Sequence, residues 1–446
     1  MARDLTKGSV NKVLLQFTLP LFISVVFQQF YSIADSLIAG RFAGEDALAA
    51  VGASYPITNI FNAVGFGCNI GCSVVISQLF GAGEYKKVKT AISTALISGF
   101  VLSSVLTIGG IIFTPALTTA IDTPENIFDA SALYLKIYVG GFVFLFIYNI
   151  VNSVFTALGD SKRPLYFLIF SSVFNVALDY IFVVFFKMGV AGVAWATFIA
   201  QGLAGVLSFV SLFNNLKKML VKEKTDLFSF PLLKEIARIS IPSVLQQSFV
   251  SVGNVFIQKL INGYGSSVIA GFSAAMKLNT FTTKALYTFG NSVSSFTAQN
   301  FGAKKHSRIR EGMKYGTIMV VVTGVVIAVL YLCFNVQLIE LFMEGDGSAE
   351  AVKSGSLFLK TVAPFYAFIG IKLVCDGVLR GTGTMKLFMV ATFTDLILRV
   401  VLAYVFSPIW SYGGIWWSWP VGWTVANILS FIFYLYTMKK LTKKSV

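Results

Sequence analysis

Asn175 and Asp179 stand four residues apart in FNVALDYIF (174–182), inside a long apolar run. That spacing puts an amide and a carboxylate on one helix face. A second acid, Asp35, sits in QQFYSIADSLIAGR, about five residues before the end of another apolar run. Thr197, in GVAWATFIAQ, lies about eight residues from the start of a third. Burying an ionisable side chain in such a run is costly, so it normally faces the protein interior and serves a purpose. At a common depth, two carboxylates, an amide and a hydroxyl could form a hard-oxygen site for Na⁺, or a carboxyl pair sharing one proton. The structural alternative is that Asp35 borders the membrane surface and Asp179 completes a hydrogen-bond network. Thr197 could equally satisfy a carbonyl of its own helix. Gln28, Tyr31, Asn149 and Asn152 add neutral polar groups, suited to contact a substrate in a cavity with apolar walls.

The elements that must position these groups follow from composition. Of 446 residues, 56% are hydrophobic and 12% charged, with a mean hydropathy of +0.77. Soluble domains average roughly 45–50% apolar and about 25% charged residues. The apolar runs reach the roughly 20 residues that cross a bilayer. An all-α polytopic membrane protein is therefore expected. Twelve spans are predicted near 13–39, 47–80, 91–114, 130–157, 163–186, 189–213, 235–262, 266–301, 314–338, 355–382, 386–408 and 413–438. Pro20, Pro56 and Pro364 are natural kink points within them.

The net charge of +15 collects in short connections such as GEYKKVK, GDSKRP, GAKKHSRIREGMK and MKKLTKK. That is the pattern of cytoplasmic loops, which puts both termini in the cytoplasm and gives no reason to expect a nucleic-acid partner. The start MARDLTKGSVNK leads into a run too long for a signal peptide and is expected to be retained. Cys68, Cys72, Cys333 and Cys375 all fall in apolar runs and read as packing residues.

The chain repeats itself. SQLFGAGEYKKVK (77–89) aligns with AQNFGAKKHSRIR (298–310), and NSVFTALGDSK (152–162) with DGVLRGTGTMK (376–386). VVFQQFYSIADSL (25–37) aligns with SVLQQSFVSVGNVF (243–256). Six spans per copy is even, so both copies enter from the same side, as in parallel-repeat transporters. The expected organisation is a six-helix lobe over 1–213, a linker over 214–234 and a second lobe over 235–446. In the second copy Gly253 matches Asp35 and Ala403 matches Asp179. That lobe carries instead Asp376, flanked by Lys372 and Arg380, together with Lys277 and Arg399. The two deeper bases could pair with an acid, meet a lipid headgroup or line a wet cavity.

Catalytic patterns are missing. There is no GxxxxGK[ST] loop and no GxSxG elbow. The sole histidine, His306, lies in a basic loop. No enzyme activity and no cofactor is expected.

The chain resembles the MATE (multidrug and toxic compound extrusion) family over nearly its whole length. Twelve spans, two halves and the repeated turns after spans two and eight carry the likeness. So do Pro20, Gln28 and Asp35 in span one, Asn175-x-x-x-Asp179, and Thr197; these resemble the DinF-like branch. The resemblance implies a MATE/MOP-type fold and an antiporter exporting small amphipathic compounds in exchange for H⁺ or Na⁺. It also implies ion coupling at Asp35, Asp179, Asn175 and Thr197, and a span-one bend at Pro20. The expected setting is a monomer in the bilayer of a bacterial cytoplasmic membrane. Span seven carries Gln258 and Lys259 where the NorM-like branch has a glutamate, whereas Asp376 resembles that branch's span-ten aspartate. Asp376, Lys277 and Arg399 thus form a candidate secondary site. A related flippase of lipid-linked oligosaccharides is the competing transport reading; a membrane-embedded enzyme or scaffold is the competing class.

Overall fold

The computed structural model describes residues 4–38, 41–42, 45–217, 225–343 and 348–443. Among these residues the chain forms fourteen α-helices and no strand. The first eight are α1 (Val10–Ile38), α2 (Glu45–Gly81), α3 (Tyr85–Ile112), α4 (Thr114–Ala120), α5 (Glu125–Gly140), α6 (Phe142–Ala157), α7 (Lys162–Tyr180) and α8 (Gly189–Lys217). The rest are α9 (Phe230–Asn262), α10 (Ser266–Gly302), α11 (His306–Glu340), α12 (Ala349–Val362), α13 (Tyr366–Gly381) and α14 (Met385–Lys443).

The predicted spans map onto these helices with three local breaks, of which only the first was not expected. Span four is α5 and α6, joined at a 44° bend beside the Gly140–Gly141 pair. Span ten is α12 and α13, separated by a 3₁₀ turn at Ala363–Phe365 that contains Pro364. Spans eleven and twelve are the two arms of α14, which breaks at Trp410 and at Ser411, φ 55°, between the expected ends 408 and 413. Eight helices, or nine with the bent pair, are long and apolar enough to cross a membrane among the described residues. Helices α9 and α10 fall short of that test, and both carry lysines along their length.

Two compact units result. Unit 1 comprises Met1–Asp4 and Leu19–Val244, and unit 2 comprises Leu5–Thr18 and Leu245–Val446. Helices α1 and α9 therefore each contribute to both, and each changes unit beside an internal proline, Pro20 or Pro242. The expected linker lies partly at 218–224, outside the described residues.

In unit 2 the tight packing of α13 on α10 comes from missing side chains. A Cβ on Gly377 would collide with the carbonyl of Gly290, and one on Gly381 with that of Ser294. Small residues four apart let backbones approach where lipid supplies no hydrophobic drive. Unit 2 also fastens the chain's beginning. Arg308 donates to the carbonyls of Leu5, at 3.2 Å, and Gly8, at 2.8 Å, and Lys305 donates to Thr6 O at 2.9 Å. Gln299 Oε1 accepts from the Leu5 amide at 2.9 Å, and Leu5 is fully buried. Charged donors are worth about 1.5–3 kcal/mol per hydrogen bond. Arg308→Ala is therefore expected to free this segment. Limited trypsinolysis at Lys7 and Lys12 should become markedly faster, whereas an unchanged cleavage rate would show that Lys305, Gln299 and the buried Leu5 hold it without Arg308.

Candidate functional site

Unit 1 gathers the polar residues of four helices. Asn175 and Asp179, one turn apart on α7, are both buried, and Asp35 on α1 is half-buried. The carboxyls of Asp35 and Asp179 lie within hydrogen-bonding reach of each other. As carboxylates they offer one another only acceptors. Both oxygens of Asp179, Oδ1 of Asp35 and Nδ2 of Asn175 are buried without a protein hydrogen-bond partner. Unsatisfied groups of this kind are costly inside a protein. A proton or a cation between the carboxyls would satisfy the carboxyl oxygens, whereas the Asn175 amide still needs an acceptor.

Tyr31, one turn before Asp35 on α1, donates its hydroxyl to Asn175 Oδ1. Tyr31 was expected at the substrate; the structure sets its hydroxyl on Asn175, within electrostatic reach of Asp35 and Asp179. Tyr134 on α5 lies within electrostatic reach of both aspartates. Its ring stacks on that of Tyr138, with centroids 6.1 Å apart, and Tyr138 Oη accepts from Asn62 Nδ2 of α2 at 3.1 Å. Tyr134 also belongs to an apolar cluster of Ala50, Ile127, Ile137, Val183, Val190, Val193 and Ala194. Tyr134 thus stands between the acids and an aliphatic cluster. Directly after Asp179 and Tyr180 the chain runs into a π-helical turn, Ile181–Phe185, the kind of distortion that recurs at functional sites.

The other predicted residues are placed as follows. Thr197 is half-buried on α8, which packs against α7, and has no hydrogen-bond partner among the described residues. Gln28 is exposed on α1. Asn149 donates to the Leu145 carbonyl of its own helix at 3.0 Å, and Asn152 keeps its Oδ1 buried and unpartnered. Pro20 lies about 22 Å along α1 from Asp35, from 15 residues at 1.5 Å each. It leaves α1 continuous, and Ser24 Oγ donates to the Pro20 carbonyl at 2.8 Å.

Two acid–base pairs are closed in unit 2. Lys372 meets Asp376 at 2.8 Å, and Ser430 Oγ donates to the other Asp376 oxygen at 2.7 Å. Arg380 turns away to the Tyr287 hydroxyl at 2.8 Å and lies over the rings of Tyr287 and Phe388. Arg399 pairs with Asp395 at 2.9 Å and lies over Trp419, whereas Lys277 lies over the Phe342 ring. Asp395 was missed from the sequence although it stands one turn before Arg399. Asn62, Tyr134 and Tyr138 were missed too; the signal for the last two is the same-face pair in YLKIY. Among the described residues no cluster of three or more His, Cys, Asp or Glu side chains could hold a metal.

The MatE family model matches this chain twice, over residues 20–181 and again over 242–405. The chain belongs to the MATE family. The double match starts at Pro20 and Pro242, one helical turn out of step with the glutamine register. Aligning on the prolines puts Ile257 opposite Asp35 in place of Gly253, and either register leaves Asp35 without an acidic counterpart. The probable multidrug resistance protein YpnP of Bacillus subtilis is 31% identical over 99% of this chain and 100% of its own length. The multidrug export protein MepA of Staphylococcus saprophyticus is 23% identical over 98% of this chain and 96% of its own. A MOP superfamily transporter from Pyrococcus furiosus superposes with a TM-score of 0.93 at 21% identity, covering 98% of both chains. An outward-facing multidrug resistance MATE transporter gives 0.92 at 21% identity over 99% of both. The fold is thus the MATE/MOP one, twelve spans in two six-helix halves, and this MATE protein is a multi-pass membrane transporter and not an enzyme.

Within this MATE protein the Tyr31 bond offers a direct check. Tyr31→Phe removes one hydroxyl worth about 0.5–1.5 kcal/mol net. Transport measured with reconstituted protein is expected to slow about two- to tenfold at nearly unchanged thermal stability. An unaltered rate would mean that Asn175 needs no orienting partner.

Proposed function

We propose that this transporter is a secondary antiporter that exports small amphipathic drugs or metabolites, often organic cations, in exchange for H⁺ or Na⁺. Asp35 and Asp179 carry the coupling charge, and Asn175 and Thr197 complete the site. The observation that carries this reading is the approach of the buried Asp179 carboxyl to the half-buried Asp35 carboxyl, both with unsatisfied oxygens. Such a pair takes up one cation and releases it when the cavity opens to the other side, so binding and conformation are linked. Gln28, Asn149 and Asn152 face the substrate, with Tyr31 bridging to the ion site. Pro20, which removes one backbone hydrogen bond from α1, is the place where that helix bends between states. The multidrug resistance and multidrug export names of the relatives support the substrate class.

The same reading places the protein as a monomer in a bacterial cytoplasmic membrane, both termini cytoplasmic. It treats residues 1–213 and 235–446 as the repeated lobes and 214–234 as their linker. Of the basic residues that a flippase for anionic lipid-linked sugars would need, Lys372 and Arg399 are neutralised by Asp376 and Asp395, whereas Lys277 and Arg380 rest on aromatic side chains.

The test is efflux of a fluorescent organic cation from proteoliposomes under separately imposed proton and sodium gradients. Antiport predicts that one gradient accelerates efflux and that collapsing it with an ionophore stops the acceleration. Efflux indifferent to both gradients would refute it.

A further inference from the structure

A groove of about 530 Å³ opens on unit 2, away from the residues discussed above. Leu357 and Thr361 of α12 form one wall; Phe406 and Trp410 precede the break in α14, and Gly413, Trp417 and Val421 follow it. Trp410 is 57% exposed, Trp417 44% and Leu357 38%, so the lining is open along its length. The Thr361 hydroxyl donates to the Leu357 carbonyl at 2.8 Å and leaves no free donor in the wall. Gly413 opens the floor: a Cβ there would come no nearer than 3.7 Å to Leu357.

Depth and charge identify the occupant. The break at Trp410 and Ser411 joins two spans of α14 and so marks a membrane edge. From Gly413 to Val421 the helix rises about 12 Å, close to the hydrocarbon depth of one leaflet, roughly half of 30 Å. Two tryptophans at that edge match the aromatic belt of a membrane interface. Beside the apolar lining run Lys353 and Lys360, both exposed on α12. At 100° per residue each lies within about 60° of Leu357 around the helix. Neither forms an ion pair with a carboxylate among the described residues. Long lysine stems reach from apolar surface to the headgroup layer.

We infer that this groove holds one anionic glycerophospholipid. An acyl chain lies along Trp410, Gly413, Trp417 and Val421, and the phosphate sits against Lys353 and Lys360. The site is separate from the carboxylate pair of unit 1, so its failure would leave the antiport reading standing.

The experiment uses the full chain in nanodiscs of phosphatidylcholine, titrated with lipids whose acyl chains carry bromine, a quencher of tryptophan fluorescence. Brominated phosphatidylglycerol is expected to quench at about thirtyfold lower mole fraction than brominated phosphatidylcholine, as roughly 1 kcal/mol of attraction from each of the two lysines requires. Replacing both lysines (Lys353→Ala with Lys360→Ala) should erase that preference. Trp410→Phe with Trp417→Phe should remove the saturable quenching, and Gly413→Leu, which fills the floor, should weaken it for both lipids. Equal quenching by the two lipids in the wild-type chain would overturn the inference. So would a lysine variant that keeps the preference, a signal that survives loss of both tryptophans, or displacement of the lipid by the transported dye.

Discussion

Asp179→Asn is expected to abolish ion-driven efflux, down to the level of liposomes without protein, while the chain still folds. Asparagine keeps the shape of the side chain but takes up neither a proton nor a cation's charge. The partner carboxyl of Asp35 then has a neutral amide as neighbour, and Asp35 can ionise alone without repulsion. The fold should tolerate the change because the matching position in the repeat is Ala403, fully buried in a helix of the same kind. Both oxygens of Asp179 lack protein donors, so the substitution breaks no bond to another protein donor. Efflux under an imposed proton or sodium gradient is the measurement, with a thermal melting curve alongside. Coupled transport at the wild-type rate in the asparagine variant would remove Asp179 from the mechanism.

The helices were legible because a lipid-spanning helix writes its length directly into an apolar run, and their ends fell near those expected. What the run does not encode is a break inside it. The bend after Gly140 and the π turn after Tyr180 each depend on how one carbonyl is satisfied in three dimensions, whereas the break at Ser411 falls between two expected spans. The α7 half of the site was legible for a related reason: Asn175 and Asp179 share a face at a spacing that survives any packing. Tyr134, Tyr138 and Asn62 were hidden because neutral polar residues are common in these spans, and only folding shows which of them turn toward the acids. Asp395 was hidden differently. It stands one turn from Arg399, for which an acid, a lipid headgroup and a wet cavity were all open, and the pairing at 2.9 Å selects the acid. The fastening of Leu5 to Gly8 by Arg308 joins residues roughly 300 positions apart, beyond any local pattern. The repeat explains the asymmetry of the halves. In one register Arg399 occupies the place of Asn175, so the second copy replaced an open amide and acid by a closed ion pair.

That asymmetry has a measurable consequence at Asp376. Asp376→Asn leaves the Lys372 ammonium buried, with Thr392 Oγ1 at 3.4 Å as its remaining partner. Removing one member of a buried ion pair costs about 3–5 kcal/mol, because the other charge stays desolvated. The expected result is a clear drop in melting temperature and in the yield of folded protein. Adding Lys372→Met should recover most of that loss, since a neutral side chain of similar length needs no counter-charge. Per folded molecule, transport should still respond to the same ion gradient with the same pH dependence, because the coupling carboxyls sit on α1 and α7. Asp179→Asn and Asp376→Asn therefore fail in opposite ways: the first stays stable and loses coupling, the second loses stability and keeps coupling. If Asp376→Asn instead proved stable but uncoupled, the buried pair of unit 2 would be a working part of the ion pathway, and the division of labour between the halves would have to be reversed.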